Sequence, residues 1–526
     1  MIRVLRINIT FIIFLALAFE LKATIVTGRV TCGGLAVTGV SVSDGRSVVY
    51  TGTDGTYSIN TPLDMGYVFI SVPSGYEVPA QDNIPQFFRR LDASQRKAVA
   101  DFELVLVDQN KCNIIVFNDI HLTGDPVYHD LEQVHRGFFA DVNEHYKDLN
   151  DVPVYAMTLG DMTTDSRWYK WNFALPEYLC QMVDNFPVPI WHTMGNHDND
   201  IKGGSDDAAS RAFRNVIGPH YYSFNIGAFH FIVLDDIVYD MPLNEQGRVA
   251  KVNTYKTYVA PEQLSWLKND LKNVPANTPV VILTHAPFYR IKGIEDGKYI
   301  VNGGFNAGHT PDDVLYFLRK YDRVYVLSGH THMNYYVENE NGVMEHNCVS
   351  VAGSSWYTES AFGRNFSSDG VPAGYAVYTI DGRELSWYYK PVGIEMEDCQ
   401  FRAYDMNVVP SEFKEDFPEN SVLVNVFNYD PAWKVSVREE GKEVDVTQVW
   451  TWDPLYAAGV KGHSFSKKGA FRPNRNSHMF LAQPSSATSP VEIIVTDRFG
   501  RIYRHTMTRP GKFSIDMPVN YPADSL

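Results

Sequence analysis

The residues with the clearest chemical potential are two histidines one position apart, His330 and His332, which follow the apolar run 323–327. Neutral imidazole is the commonest nitrogen ligand for transition metals in proteins. A strand that ends here would aim both rings into a pocket, where they could bind one metal ion or two neighbouring ions. A single His-x-His pair is not specific by itself, so the interpretation depends on ligand-type residues elsewhere in the chain.

The same arrangement recurs four more times upstream, because further apolar runs are followed closely by side chains with oxygen or nitrogen donors. The runs are 113–117, 154–159, 188–194 and 280–283, and the donors that follow them are Asp119, His121, Asp161, Asn196 and His285. Ligands gather outside the carboxyl ends of strands in layered α/β domains, so all seven side chains could meet in one cleft. Each residue alone could be a helix cap, a turn former or a loop histidine, but five such coincidences in strand order argue against that.

The seven candidate donors contain carboxylate, amide and imidazole groups but no sulfur. Such a set suits manganese, iron, zinc or cobalt better than a soft metal or an all-oxygen calcium site. Seven donors exceed the needs of one tetrahedral ion and suit two ions that share a bridging carboxylate. Two ions roughly 3.5–4 Å apart can hold a phosphoryl oxygen and generate a hydroxide nucleophile at neutral pH.

The elements that must position these residues form the central part of the chain. Apolar runs alternate with amphipathic segments over residues 111–392, which predicts a layered α/β domain. Helices are expected at 131–149, at 168–186, from Pro261, and from the capping segment that begins at Thr310. Simple alternation of strands and helices would give a parallel sheet.

The flanking regions lack this alternation and are predicted to be β-domains. Residues 24–110 contain short β-branched runs separated by Asp44-Gly45 and Asp54-Gly55, which are hairpin signals. The segment 54–57 resembles the closing turn of immunoglobulin-like modules. Residues 393–526 contain strand-like runs and turns, which we interpret as a C-terminal β-rich domain, a sandwich.

The motifs together resemble one known family. Asp119-x-His121, Gly160-Asp161, the segment 195–198, His285 and the segment 329–332 resemble the motif set of the calcineurin-like metallophosphoesterases, complete and in the family's order. The resemblance covers about residues 111–392. It implies a sandwich of two mixed β-sheets flanked by helices rather than a purely parallel sheet. The layout with a β-domain on each side also looks like a secreted bacterial subgroup.

The resemblance implies a role for each ligand. Two divalent transition-metal ions (manganese, iron or zinc) are expected. The first would be held by Asp119, His121 and His332, the second by Asn196, His285 and His330, and Asp161 would bridge them.

The resemblance also implies the acid catalyst. His197 would protonate the leaving-group oxygen, and Asp198 would hydrogen-bond to His197 and raise its basicity. Many members have a further asparagine or aspartate shortly after the Gly-Asp pair. Here three residues intervene before Asp165, so its role is left open.

The function implied is a secreted, dinuclear-metal phosphoesterase that hydrolyses a small phosphomonoester or phosphodiester by attack of a metal-bridged hydroxide. One alternative is a pyrophosphohydrolase that acts on nucleotide or lipid pyrophosphates. Another is a non-catalytic binding protein of the cell envelope, although the complete ligand set and His197 argue against it. Aromatic residues such as Trp168 and Trp356, and the cation Arg290 shortly after His285, are candidate walls of the cleft.

Composition limits the location and the partners. Residues 1–23 combine Arg3 and Arg6 with an apolar stretch of about 11 residues, too short to span a bilayer. They are interpreted as a signal peptide, which predicts a secreted protein of the periplasm or cell envelope with no transmembrane segment after cleavage. The formal net charge of −16 argues against binding of a nucleic-acid polymer. The five cysteines include no Cys-x-x-Cys pair, which argues against thiolate zinc sites but allows one or two disulfides.

Overall fold

A computed structural model of the chain describes residues 24–514, apart from residues 63–64, 93, 241, 243, 245, 247–253, 307 and 462–471. The predicted signal peptide therefore lies outside the described residues. In the described part of the chain, no helix has the length and apolar character needed to cross a membrane. The five cysteines are all free thiols.

The described part of the N-terminal region consists of two larger β-sheets and one two-stranded pair. Its strands β1 to β12 are, in order, Thr24–Cys32, Leu35–Ala36, Ser41–Ser43, Val48–Tyr50, Thr56–Thr61, Tyr67–Ser71, Tyr76–Glu77, Ala80–Gln81, Ile84–Pro85, Phe88–Arg90, Lys97–Val99 and Phe102–Leu106. One larger sheet is built around β1, which pairs with β2, β5, β11 and β12, the other has the order β10-β6-β3-β4, and the two-stranded pair is β8–β9. Side chains of β5 alternate between buried and exposed, as expected for a strand with one face on a core.

The central region carries the candidate ligands. Its strands β13 to β27 are Lys111–Phe117, Val154–Thr158, Ile190–His192, Tyr222–Ile226, Phe229–Val233, Ile237–Tyr239, Tyr255–Thr257, Val280–Leu283, Tyr289–Glu295, Lys298–Gly303, Val324–Ser328, Tyr335–Glu338, Val343–Asn347, Gly374–Asp381 and Glu384–Pro391. Its helices α1 to α8 are Asp130–Val134, Ala140–Leu149, Trp168–Trp171, Leu175–Asn185, Asp206–Val216, Pro261–Asp270, Asp312–Leu318 and Glu359–Phe362.

Two mixed sheets form the middle of this region. The first has the order β15-β14-β13-β26-β27, in which β13, β14 and β15 are parallel and β26 and β27 are antiparallel additions. The second has the order β16-β17-β20-β23-β25-β24, with antiparallel strands at both edges. Trp191 of the first sheet stacks on Phe224 of the second, with ring centroids 3.9 Å apart. The fold is therefore the mixed two-sheet sandwich that the family resemblance implied, and not a single parallel sheet.

The helices agree with the sequence patterns except at two interruptions. The predicted helix 131–149 is formed by α1, a π-helical turn at His135–Phe139 and α2. The predicted helix 168–186 is split into α3 and α4, because Asn172 between them adopts a left-handed conformation with φ 50°. A left-handed residue ends the hydrogen-bonded run of a right-handed helix.

The C-terminal region is a β-sandwich. Its elements are β28 Phe401–Asp405, β29 Val422–Val426, β30 Lys434–Glu439, β31 Lys442–Val444, β32 Val446–Thr451, α9 Pro454–Val460, β33 Asn476–Ala482, β34 Val491–Thr496 and β35 Ile502–Met507. Two four-stranded sheets, β28-β29-β33-β32 and β31-β30-β34-β35, enclose an apolar core. The sandwich packs against the central region, where Ser354 Oγ and Tyr456 OH are 2.8 Å apart and Asn334 Nδ2 donates to the carbonyl of Phe427.

Candidate dinuclear metal centre

The first group of ligand atoms lies at the ends of β13 and β23. Nε2 of His121 and Nε2 of His332 are 2.9 Å apart. Oδ1 of Asp119 lies 3.4 Å from the His332 nitrogen and 3.8 Å from the His121 nitrogen. Three donors thus surround one point, as a single metal ion requires.

The second group lies at the ends of β15, β20 and β23. Oδ1 of Asn196 is 2.9 Å from Nε2 of His285 and 2.8 Å from Nδ1 of His330. The two imidazole nitrogens are 3.1 Å apart. A second ion could therefore be held by one amide oxygen and two nitrogens.

Asp161 joins the two groups. Its Oδ2 lies 3.6 Å from Nε2 of His121 in the first group and 3.3 Å from Nε2 of His285 in the second. Its other oxygen, Oδ1, accepts a 2.7 Å hydrogen bond from the backbone N–H of His197. The structure thus brings together all seven side chains that the sequence predicted, with one carboxylate oxygen between the two groups.

The backbone at the strand ends explains how residues so close in sequence converge. Five of the seven ligand residues adopt left-handed conformations, with φ between 47° and 69°; these are Asp119, His121, Asp161, His330 and His332. Such conformations cost free energy for residues with a Cβ atom and cluster at functional sites. Gly195 allows the loop after β15 to pack closely on Asp161, since a Cβ atom there would lie 2.2 Å from the backbone nitrogen and 2.3 Å from Oδ1 of Asp161.

Backbone carbonyl oxygens fix the orientation of two of the imidazole rings. Nδ1 of His285 donates to the carbonyl of Leu159 at 2.8 Å, and Nδ1 of His332 donates to the carbonyl of Gly353 at 2.7 Å. In both rings this leaves the lone pair of Nε2 directed into the cluster. Second partners of this kind are typical of metal-binding histidines.

The donor set fits bound cations. Oδ1 of Asp119 is buried and has no hydrogen-bond partner among the described residues. Burial lowers the pKa of His121 and of His330 to about 3, so these rings are neutral at pH 7. Burial acts in the same direction on His285 and His332, but the carboxylates of Asp161 and Asp119 outweigh it, raising the pKa of His285 to about 10 and the pKa of His332 above its usual value. A bound cation would replace the added proton on these two rings, because a metal-binding histidine must be neutral. Facing lone pairs at about 3 Å repel each other unless a positive charge lies between them. We infer that the residues present fit two metal ions.

His197 stands beside this cluster. One of its ring nitrogens lies within 4.8 Å of ligand atoms of His121 and Asp161. Its Nδ1 is 2.7 Å from Oδ1 of Asp165, and its side chain is 28% exposed. Burial lowers the pKa of His197, but the carboxylates of Asp161 and Asp165 outweigh burial and raise this pKa to about 9.

Comparison with known proteins agrees with this geometry. The family profile for calcineurin-like phosphoesterase matches residues 112–334. The profiles for the N terminal and the C terminal of calcineurin-like phosphoesterase match residues 24–106 and 345–503. The chain belongs to the calcineurin-like phosphoesterases. The family binds a dinuclear metal centre, and the match of all three profiles agrees with the three-part architecture.

Solved structures match about half of this phosphoesterase at low sequence identity. A dimetal phosphatase from Danio rerio has a TM-score of 0.35 and 13% identity, covering 53% of this chain and 97% of that one. A purple acid phosphatase from yellow lupin (Lupinus luteus) has a TM-score of 0.34 and 14% identity over 54% and 52%. The NAD nucleotidase of Haemophilus influenzae has a TM-score of 0.29 and 12% identity over 54% and 56%. The chain thus spans about half the length of the last two proteins. No curated protein matches the sequence.

The structure corrects the predicted role of Asp198 in this phosphoesterase. Asp198 does not contact the His197 ring; its Oδ1 accepts from the backbone N–H groups of Met162 and Thr163, and its Oδ2 accepts from that of Gly195. The three donors hold the carboxylate away from the cleft and tie together the loops after β14 and β15. Asp165, whose role was left open, is the carboxylate that orients His197.

Other residues around the centre were missed or misjudged from sequence. Tyr239 of β18 donates to the carbonyl of Asn196 and lies 3.4 Å from Oδ2 of Asp165, but no local motif marks it. Trp356 and Trp168 are buried and donate to the carbonyl of Ile120 and to Thr163 Oγ1. Both indoles are therefore hydrogen-bonded inside the protein to the loops after β13 and β14, and they do not form a wall of the cleft.

Proposed function

We propose that this calcineurin-like phosphoesterase hydrolyses a small organic phosphate, either a monoester or a diester, at the centre formed by the seven ligands. The observation that carries the proposal is the position of Asp161, whose Oδ2 lies within 3.6 Å of a histidine nitrogen in each ligand group. A carboxylate shared in this way suits two ions, manganese, iron or zinc, at the spacing used in phosphoryl transfer. His197 beside the shared carboxylate provides the proton donor.

The chemistry divides between the ions and the chain. When bound, two divalent cations would neutralise charge on the phosphoryl group and provide a nucleophilic hydroxide from water. Hydrolysis breaks the bond between phosphorus and the leaving oxygen, and the oxygen of water joins phosphorus. His197 gives a proton to the leaving oxygen, and Asp165 holds the ring in place through Nδ1. No side chain of this protein forms a covalent bond to phosphorus in this scheme.

A substrate panel tests the proposal. The protein is loaded with Mn²⁺, Zn²⁺ or Fe²⁺ in turn and assayed with 4-nitrophenyl phosphate, bis(4-nitrophenyl) phosphate and nucleoside diphosphates. We expect about two equivalents of metal by elemental analysis and turnover that depends on that metal. His129→Ala is the matched control for ligand variants such as His285→Ala, since the side chain of His129 is 65% exposed and lies outside the cluster.

The alternatives give different results in the same panel. Turnover of the nucleoside diphosphates with little turnover of the two aryl esters would identify a pyrophosphohydrolase. Metal binding without turnover of any compound would overturn the enzymatic proposal and favour a binding protein of the cell envelope.

We also propose that the protein is exported to the periplasm or cell envelope. The basic start and the apolar stretch of residues 1–23 support this proposal. Fractionation of cells that express the full sequence, followed by N-terminal sequencing, tests it. Recovery of uncut protein in the cytoplasm would contradict export.

A further inference from the structure

A cleft of about 700 Å³ opens beside the metal centre and is shared by two regions of the chain. The central region contributes Arg290 and Lys292 of β21 together with His330. The C-terminal sandwich contributes Trp450, Trp452 and Arg475. Because His330 belongs to both the cleft and the second ligand group, a molecule bound at the metal centre would extend into this space.

The cleft carries positive charge that the protein does not neutralise. No described residue that lines it is acidic, although the whole chain has a formal charge of −16. Arg475 is paired with Glu415. Within the described part of the chain, by contrast, neither Arg290 nor Lys292 has an ion-pair partner. Two unpaired cations beside a phosphoryl site favour a ligand with a further negative charge.

The two tryptophans have different environments. Trp452 donates its indole N–H to the carbonyl of Phe413 at 3.1 Å, and the guanidinium of Arg475 lies over its ring at 5.1 Å. The ring of Trp450 is half-buried and lines the cleft, and among the described residues no ring or cation stacks on it. An indole face open to a cleft suits a planar base or the apolar face of a sugar ring.

The cleft is built on braced elements. Gln448 of β32 donates to Tyr299 OH at 3.3 Å and to the carbonyl of Ser477, which connects the hairpin β21–β22 to the C-terminal sandwich. On its other side the hairpin is held by Tyr335 OH, which donates to the carbonyl of Tyr289 at 2.9 Å. These contacts hold the hairpin that carries Arg290 and Lys292 against the sandwich that carries the tryptophans.

We propose that this cleft binds the leaving group of the substrate, and that the leaving group carries a ring and a second phosphate. This proposal rests on the proposed phosphoesterase function. The scissile phosphoryl group lies at the metal centre, Arg290 and Lys292 bind the second phosphate, and the ring packs on Trp450. Nucleoside bisphosphates and bisphosphates of ring-form sugars share this chemistry, and both carry the scissile group as a phosphomonoester.

The test compares variants on four compounds with the metal-loaded full-length protein. Adenosine 3′,5′-bisphosphate carries a base and a second phosphate, glucose 1,6-bisphosphate a sugar ring and a second phosphate, AMP only the nucleoside, and glycerol 3-phosphate neither. Trp450→Ala should lower kcat/KM about tenfold for a compound whose ring stacks on the indole and far less for glycerol 3-phosphate. Lys292→Met should lower kcat/KM about fivefold for the compounds with a second phosphate.

Lys298→Met is the matched control, because Lys298 is an exposed lysine of the same hairpin and does not line the cleft. It should leave all four rates unchanged. In Trp450→Ala, a loss confined to the two adenosine compounds identifies a nucleobase, and a loss confined to glucose 1,6-bisphosphate identifies a sugar ring. The proposal is overturned if Trp450→Ala or Lys292→Met lowers kcat/KM equally for all four compounds. It is also overturned if the wild type does not prefer the compounds with a second phosphate.

A binding measurement separates this proposal from the proposed function. If the wild type hydrolyses neither these four compounds nor the two aryl esters, the phosphoesterase proposal fails; if it hydrolyses the aryl esters but none of the four, only the leaving-group proposal fails. Calorimetric titration of adenosine 3′,5′-bisphosphate and of glucose 1,6-bisphosphate then tests the cleft alone. Binding that weakens in Trp450→Ala but not in Lys298→Met supports the cleft, and binding that is absent or unaffected overturns it.

Discussion

Oδ1 of Asp165 lies 2.7 Å from Nδ1 of His197, and this contact fixes the orientation of the candidate proton donor beside the ligand cluster. The hydroxyl of Tyr239, 3.4 Å from the other oxygen of Asp165, supports the carboxylate from behind. The pair joins the loop after β14 to the loop after β15. Its geometry leads to the first two predictions.

Replacing His197 by alanine should leave the metal content unchanged and lower turnover. Loss of a general acid typically costs 10²- to 10⁴-fold in rate, and the cost is greatest when the leaving group is a poor one. Elemental analysis and kcat for an alkyl phosphate and for 4-nitrophenyl phosphate provide the measurement. An equal loss with both substrates would argue against proton donation by His197.

Asp165→Asn should lower kcat for alkyl phosphates by a smaller factor than His197→Ala, because the asparagine holds the ring less firmly. In the double variant, Asp165→Asn should add little to the loss caused by His197→Ala, since Asp165 acts through that ring. A double-mutant cycle in kcat measures this coupling. Independent, multiplicative losses would show that Asp165 works by another route.

Asp198→Ala should weaken folding rather than acid catalysis. Its carboxylate accepts from three buried backbone N–H groups, those of Met162, Thr163 and Gly195. Loss of these acceptors should lower the free energy of unfolding by about 1–3 kcal/mol, measured by urea denaturation. Asp148→Ala, at a side chain that is 81% exposed, is the control. If Asp198→Ala kept its free energy of unfolding but lost turnover, Asp198 would have a direct role in catalysis.

Metal should stabilise the wild type through Asp161. Ligand atoms that lie about 3 Å apart without a cation repel one another, so Mn²⁺ or Zn²⁺ binding to the native state should raise the Tm by about 5 °C when the metal is well above its Kd. Asp161→Asn should reduce both this increase and the bound metal. A differential scan with and without a chelator provides the measurement. If Asp161→Asn kept two equivalents of metal, Asp161 would not be a ligand shared by the two metal sites.

Acid should destabilise the protein through His346. Burial lowers the pKa of this histidine from 6.5 to about 3, while its nitrogens contact Tyr378 OH and Asn334 Oδ1. At this residue the unfolded chain therefore binds a proton more readily than the folded protein does. The stability present above pH 6.5 is lost as the pH falls, and for one group the free energy of unfolding decreases by up to about 1.4 kcal/mol per pH unit.

His346→Gln should flatten this slope, measured by urea denaturation between pH 7 and pH 4.5. The exposed histidine His129 offers the control His129→Gln, which should retain the slope. Equal slopes for the two variants would show that His346 does not contribute.

The ligand residues could be predicted because their chemistry follows local rules. An apolar run such as Val280–Leu283 is followed shortly by a donor such as His285, and donors at the ends of neighbouring strands lie close together. The sheet arrangement could not be obtained that way, since β26 returns from residue 374 to pair with β13 in the antiparallel direction. The partner of His197 was misassigned for the same reason. Asp198 is adjacent in sequence, yet backbone N–H groups hold it, and Asp165, 32 residues away, is the neighbour in space.

The C-terminal sandwich supports the loop that orients His332, one of the candidate metal ligands. Nδ1 of His332 is anchored on the carbonyl of Gly353, and the next residue, Ser354, is held by Tyr456 of the sandwich. A recombinant fragment that stops at residue 392 would remove Tyr456 and leave this anchor loop unsupported. Anyone who wishes to engineer, crystallise or shorten this protein should therefore keep both parts on one polypeptide.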